Sequence, residues 1–193
     1  MRKFVVNTSI SLDGFHEGPE RDISWHRVDD EVHKFMNDSL APMSVFLDGR
    51  VNHELMASVW PDMAEDPEAP ALMAEFGRIW VDMPKIVFSS TVEDTRWNTS
   101  VRREVDPAEM RALKDQPGGD MVVGGSVLVD TFRRLDLIDE YRVFVHPVLV
   151  GAGTPFFKSA DALTSLELIE TRTFGNGVVL LRYARGAEPL RAD

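Results

Sequence analysis

The chain is 193 residues long, enough for one domain whose core needs no disulfide or metal staple. It has no cysteine, which excludes thiolate catalysis and cysteine-ligated zinc or iron–sulfur clusters and favours a cytoplasmic address; no apolar run reaches the length of a bilayer span. The formal net charge of −11 is spread along the chain and repels nucleic acid and anionic membranes, so an anionic ligand would need backbone amides and a few placed Arg side chains.

The first residues read as the start of a strand and not as a secretory leader. Residues 3–12 alternate in strand fashion and end at Asp13-Gly14. The stretch 15–25 is rich in Gly, Pro and acids and reads as a long loop, a candidate for function. Val28, Val32, Phe35 and Met36 then fall at helical spacing, with Asp29, Asp30 and Glu31 in the first turn, where compensation of the helix dipole is their simplest role. Residues 43–47 form a second strand, and Asp48-Gly49-Arg50 turns into a short helix carrying Leu55, Met56 and Val59, which Trp60-Pro61 stops. A third helix carries Leu72, Phe76, Ile79, Trp80 and Met83. Residues 85–90 form a strand with the hydroxyls of Ser89-Ser90-Thr91 at its carboxyl end, and 92–105 shows no regular pattern apart from a turn at Trp97-Asn98. Asp106-Pro107-Ala108-Glu109 supplies cap, N1 proline and N3 acid for the next helix.

The apolar run 120–123 delivers the chain to Gly124-Gly125-Ser126 and at once to a segment with Leu128, Phe132 and Leu135 on one helical face. That is strand, tight turn and helix start. A helix beginning at a sheet's rim directs free N–H groups and its positive dipole end at whatever lies there, and the natural ligand is a phosphate. The stretch is neither a G-x-G-x-x-G fingerprint nor a P-loop, and a Gly-Gly pair alone serves equally as a turn or a point of close packing. Residues 139–150 read as a long strand with Pro147 inside it, 151–155 as a glycine-bearing loop, and 166–174 with 178–183 as a hairpin about Gly175-Asn176-Gly177. The domain is drawn over residues 1–185, with 186–193 as a short tail. The five histidines, His16, His26, His33, His53 and His146, lack metal-ligand spacing, and no metal is expected.

Alternating strands and helices followed by a hairpin predict an α/β fold with a mixed, mostly parallel central sheet, antiparallel at one edge. Ligands of such sheets collect beyond the carboxyl ends of the strands. The loop after Leu12, Gly49-Arg50, Ser89-Ser90 and Gly124-Gly125 would meet there.

Ser11-Leu12-Asp13-Gly14-Phe15, Trp25-His26, Leu47-Asp48-Gly49-Arg50 with Glu54, residues 85–91, residues 119–126 and residues 139–153 together resemble, in that order, the dihydrofolate-reductase-like superfamily. The similarity is greater to the branch related to the reductase (C-terminal) domain of the bifunctional riboflavin-biosynthesis deaminase-reductase. This resemblance implies a three-layer dihydrofolate-reductase-like fold, an NADPH-dependent reductase of the cytoplasm and a homodimer. Its substrate would be a pterin, a folate or a ribosylamino-pyrimidine. Gly124, Gly125, Ser126 and Val127 would hold the pyrophosphate, Gly49, Arg50 and Asn52 a second side of the phosphates, and Ser89 and Ser90 the adenosine ribose with its 2′-phosphate. The family also admits a cis bond between the two glycines. Asp29, or else Asp30, is the candidate proton donor, and Asp13 and Trp25 are candidates for substrate contact. The family usually carries Thr and an aromatic where this chain has Asn52 and His53, which leaves open a non-catalytic homodimer that binds a nucleotide or pteridine. Absence of a His/Cys zinc pattern excludes deamination by this chain.

Overall fold

The computed structural model describes residues 1–93, 96–158 and 163–186. Among these residues, ten strands alternate with six α-helices. The strands are β1 (Phe4–Ser11), β2 (Phe15–Glu17), β3 (Val45–Gly49), β4 (Lys85–Phe88), β5 (Thr99–Arg102), β6 (Met121–Gly124), β7 (Glu140–His146), β8 (Thr154–Pro155), β9 (Leu166–Thr173) and β10 (Val179–Arg185). The helices are α1 (Asp30–Leu40), α2 (Arg50–Ala57), α3 (Trp60–Glu65), α4 (Ala71–Asp82), α5 (Pro107–Lys114) and α6 (Ser126–Arg134). Eight strands form one sheet in the order β5-β4-β3-β6-β1-β7-β10-β9. From β5 to β7 every pairing is parallel, and β10 with β9 completes the sheet as an antiparallel hairpin, as the alternation of elements predicts.

Period-two alternation divides the apolar residues between two layers. Phe4, Val6, Leu47 and Val123 pack with Leu128, Val129 and Phe132 of α6 and Met110 of α5. One residue out of phase, Phe46 and Val122 pack with Leu40 of α1 and with Phe76 and Trp80 of α4. Phe132 is fully buried and meets Phe4 edge-on at 5.2 Å, so α6 is anchored by a contact at the centre of the sheet. Burial of such a side chain is worth about 1.5–3 kcal/mol. That anchoring fixes where α6 begins, and therefore where its amides point.

Several elements differ from the sequence reading. Pro61 does not simply end a helix: α2 stops at Ala57, and Pro61 lies in the first turn of α3, where its missing N–H costs nothing. The stretch 92–105 contains β5, entered through a turn in which Trp97 and Asn98 have φ of 54° and 57°. β7 ends at His146, so Pro147 follows the ladder instead of interrupting it. The loop 15–25 contains β2, paired with β8 from the glycine-bearing loop, and a tight 3-10 turn at Pro19–Arg21. A Cβ on Gly153 (φ +134°) would strike the Gly18 backbone, so this pairing depends on a glycine. The Gly124–Gly125 peptide is trans, as are all those described. Most of the expected tail, from residue 187 on, lies outside the described residues, and no described helix is long and apolar enough to cross a membrane.

Candidate functional site

The parallel strands end side by side, and a cavity of about 1470 Å³ opens at that edge. One part of its wall is Gly49, Arg50 and Asn52 after β3, Ser89, Ser90 and Arg103 beside β4, and Gly124 to Val127 after β6. Another part is His16, Glu17, His26 and the α1 face of His33, Met36 and Asn37, continued by Trp60 and Phe76. Three of the four expected turns therefore share one space. The fourth enters through its β2 residues, not through Asp13.

α3 and α4 lack a side-chain cap, and so do the two helices that begin at the strand ends in this cavity. The N-cap of α2 is Gly49 and that of α6 is Gly125, at φ +84°, and neither can offer an oxygen to the first-turn amides. By contrast, α1 and α5 are capped by Asp29 and Asp106, which accept from Val32 N (3.0 Å) and Ala108 N (2.8 Å). Uncapped amides need water or a ligand. The helix dipoles make an anion the best match, so a phosphate-bearing cofactor fits this part of the wall.

The glycine pair also has a packing role. A Cβ on Gly124 would overlap Asp48 Oδ1 and come within 2.8 Å of Asn52 Nδ2, and one on Gly125 would lie 3.2 Å from Asn52 Cβ. Asn52 lines the cavity and commits one N–H of its Nδ2 to Asp48 Oδ1 at 2.7 Å. His53 is buried and its ring lies 5.8 Å from that of Trp80. Arg50 is exposed and paired with Glu54 at 2.7 Å. Ser89 Oγ accepts from Thr91 N (3.1 Å) and Val92 N (3.0 Å) and so shapes the turn, while the carbonyl of Ser90 accepts from Arg103. Ser126 is buried at the cavity wall and Val127 is exposed at its rim.

Four expected residues are placed away from the cavity lining. Asp29 is the cap of α1, and Asp30 is exposed in its first turn. Asp13 accepts from Ser11 Oγ (2.6 Å), Gly151 N (2.8 Å) and Val150 N (3.1 Å), bonds that hold its carboxyl below the usual range and tie two loops together. Trp25 packs edge-on against His26 and His146 and donates to the carbonyl of Asp22 (3.0 Å). The sequence reading gives Asp29 or Asp30 the role of proton donor and Asp13 and Trp25 substrate contact; in the structure Asp29 caps a helix, Asp13 ties two loops and Trp25 packs on two histidines.

Other residues emerge only from the structure. His16, His26 and His33 line the cavity, and burial lowers the pKa of each. His26 stacks on buried His146 (5.1 Å, 18°), whose Nδ1 accepts from Arg27 N at 2.9 Å. Burial, then the neighbouring His26 and Arg27, push His146 down to about 4. Glu17 lines the wall and accepts from Thr154 Oγ1 at 2.7 Å. Asp48, 3% exposed, receives a hydrogen bond from Asn52; burial pushes its carboxyl up to about 6, against the pull of that bond and of Lys85. The Asp-Gly-Arg wording suggested a turn, and nothing in it signalled a buried acid.

The order and direction of the strands, with the cleft at their carboxyl edge, define a dihydrofolate-reductase-like α/β protein. The structure superposes on a dihydrofolate reductase from Enterococcus faecalis complexed with NADP(H) and RAB-propyl, with a TM-score of 0.63, 17% identity and coverage of 95% of this chain and 96% of that one. A protein ascribed to riboflavin biosynthesis from Shewanella sp. PV-4 superposes with a TM-score of 0.72 at 18% identity, covering 95% and 99%. In sequence, the chain is 31% identical over 183 residues to the uncharacterised protein YyaP of Bacillus subtilis (strain 168), covering 94% of each. The chain belongs to the RibD C-terminal domain family, whose profile matches residues 2–180.

Proposed function

We propose that the protein is a cytoplasmic, NADPH-dependent reductase acting on a pterin, a folate or a ribosylamino-pyrimidine of the riboflavin-pathway type. The observation that carries this reading is the convergence of two uncapped helix starts, at Gly49 and Gly125, on one cavity large enough for a dinucleotide and a ring. Membership of the RibD C-terminal domain family and the fold shared with dihydrofolate reductase support a reductase type.

In this reading the first-turn amides of α6, from Ser126 and Val127, grip the pyrophosphate, and the start of α2 with Arg50 holds its other side. Ser89, Ser90 and Arg103 take the adenosine ribose and its 2′-phosphate. A bound reduced nicotinamide supplies a hydride. The chain's own work is to hold two rings face to face and keep water from them. Met36, Trp60 and Phe76 provide the apolar wall for that purpose. Proton handling falls to Glu17, His16, His26 and His33, which line the cavity, in place of Asp29 and Asp30.

The homodimer is proposed on the edge strand β9, whose Leu166, Leu168 and Ile169 are 41%, 60% and 44% exposed on an unpaired strand edge. Light scattering after gel filtration tests it, and a monomer at working concentration rejects it. Loss of NADPH absorbance across a panel of dihydropterins, dihydrofolate and ribosylamino-pyrimidines tests the reductase. The buried acid beside the glycine turn favours a second reading, a non-catalytic homodimeric nucleotide or pteridine binder. Cofactor binding with no turnover on any member of the panel would select it.

A further inference from the structure

Asp48 is placed where a phosphate site should be least tolerant of it. It is the last residue before the N-cap of α2, and its Oδ1 abuts Gly124, the residue before the N-cap of α6. It lines the cavity yet is 3% exposed, and among the described residues its carboxylate has one hydrogen bond, from Asn52 Nδ2 at 2.7 Å, and no ion pair within 4.0 Å. Among the described residues this carboxylate accepts from no first-turn amide of either helix; it lies beside those amides, where its charge opposes an anion bound to them. We infer that Asp48 opposes the cofactor's phosphates unless it is neutral, so that the cofactor binds together with one proton, taken from solvent by the Asp48 carboxylate. This rests on the proposal that the site binds a nicotinamide dinucleotide.

From β4, Lys85 attracts the carboxylate, but its Nζ is held by the carbonyls of Met83 and Trp97 at 2.8 Å each and lies over Trp80 at 4.3 Å. From α2, Arg50 is turned to Glu54. From β6 and the first turn of α6, Gly124 to Val129 offer amides and no ionisable side chain; Asp130 is paired with Arg133 and Arg134. Burial takes the free protein's Asp48 up to about 6, and the negative charge of an adjacent pyrophosphate moves it further up. Above that pH each unit should weaken the dinucleotide about tenfold until the bound form also ionises. A neutral Asp48 can instead donate its proton to a phosphate oxygen.

The test is calorimetric titration of the protein with NADPH at pH 7.5 in two buffers of different ionisation enthalpy, for the wild type and Asp48→Asn. The 2′-phosphate itself titrates near pH 6, so the readout is the difference between the two proteins. Wild type should take up about half to one proton more per NADPH than Asp48→Asn, and the variant should bind about tenfold tighter or more at pH 8, with the gap closing toward pH 5.5. A difference below about a third of a proton overturns the inference while leaving the cofactor reading intact. Should Asp48→Asn fail to fold, proton uptake by the wild type on binding NADH, which has no titrating phosphate, decides alone, and binding without proton uptake overturns the inference. Absence of NADPH and NADH binding by either protein at any pH rejects the cofactor reading itself, and this inference with it.

Discussion

Acid should loosen the wall built on His146, and the effect can be sized. The fold accepts this imidazole neutral: it is fully buried, its Nδ1 accepts from Arg27 N at 2.9 Å, and the ring of His26 lies 5.1 Å away. Burial takes its pKa from 6.5 to about 4. A histidine depressed on folding contributes stability that is whole above the unfolded value, declines as pH falls from 6.5 toward 4, and is absent below. The full shift corresponds to about 3 kcal/mol, and screening by solvent in the adjoining cavity reduces that to ~2 kcal/mol. Burial raises Glu140, but hydrogen bonds from Arg182 and Arg142 hold it at about 2; its own loss of stability begins as pH falls through the unfolded value of 4.5, and it cancels in the comparison because both proteins carry it. Asn at position 146 can accept from Arg27 N but cannot titrate. Urea unfolding of wild type and His146→Asn, followed by Trp fluorescence from pH 7.5 to 4, should show the wild type's advantage shrinking by ~2 kcal/mol. An advantage that stays constant across that range refutes the assignment of a neutral, buried His146.

Gly124→Ala should cost ~2 kcal/mol in unfolding free energy by forcing Asp48 and Asn52 apart, and should abolish the thermal shift given by NADPH, read by calorimetry. A variant with unchanged stability would mean that α2 moves freely over the turn. Arg103→Ala should weaken NADPH by about tenfold and leave NADH unchanged, since a charge-assisted bond to the 2′-phosphate is worth about 1.5–3 kcal/mol at most, and equal losses would place Arg103 elsewhere. Glu140→Gln should destabilise the protein by ~2–3 kcal/mol in urea, because Glu140 is buried and binds Arg142 (2.7 Å), Arg182 (2.6 Å) and Lys3 (3.4 Å), joining β7, β10 and the residue before β1. A loss within experimental error would show that solvent replaces these bonds.

Most of the strand and helix order was legible because the elements that build the parallel sheet, apart from its edge, carry strong local signals. The run 120–123, the helical face Leu128 and Phe132, and the Asp106-Pro107 start all sit where their patterns put them. β5 was not legible: Thr99–Arg102 is a four-residue edge strand with little apolar content, and only its pairing with Lys85–Phe88 defines it. In the site, turns were readable and side-chain roles were not. Asp29 and Asp13 looked available because sequence shows an acid's presence but not what it already binds, here Val32 N and the amides of Val150 and Gly151. Asp48 escaped notice for the opposite reason, since a burial of 3% exposure depends on Gly124 and Asn52 arriving from other elements.

The placement of β1 at the middle of the sheet has a temporal consequence. Phe4 pairs with Met121, and Ser11 with His146, so β1 leaves the ribosome well over a hundred residues before the partner of either of its edges. Contacts of such long range make folding slow and leave apolar strand edges open during synthesis. The cavity wall that joins Glu17 to Thr154 can close only after that, so ligand affinity should be among the last properties a refolding molecule regains.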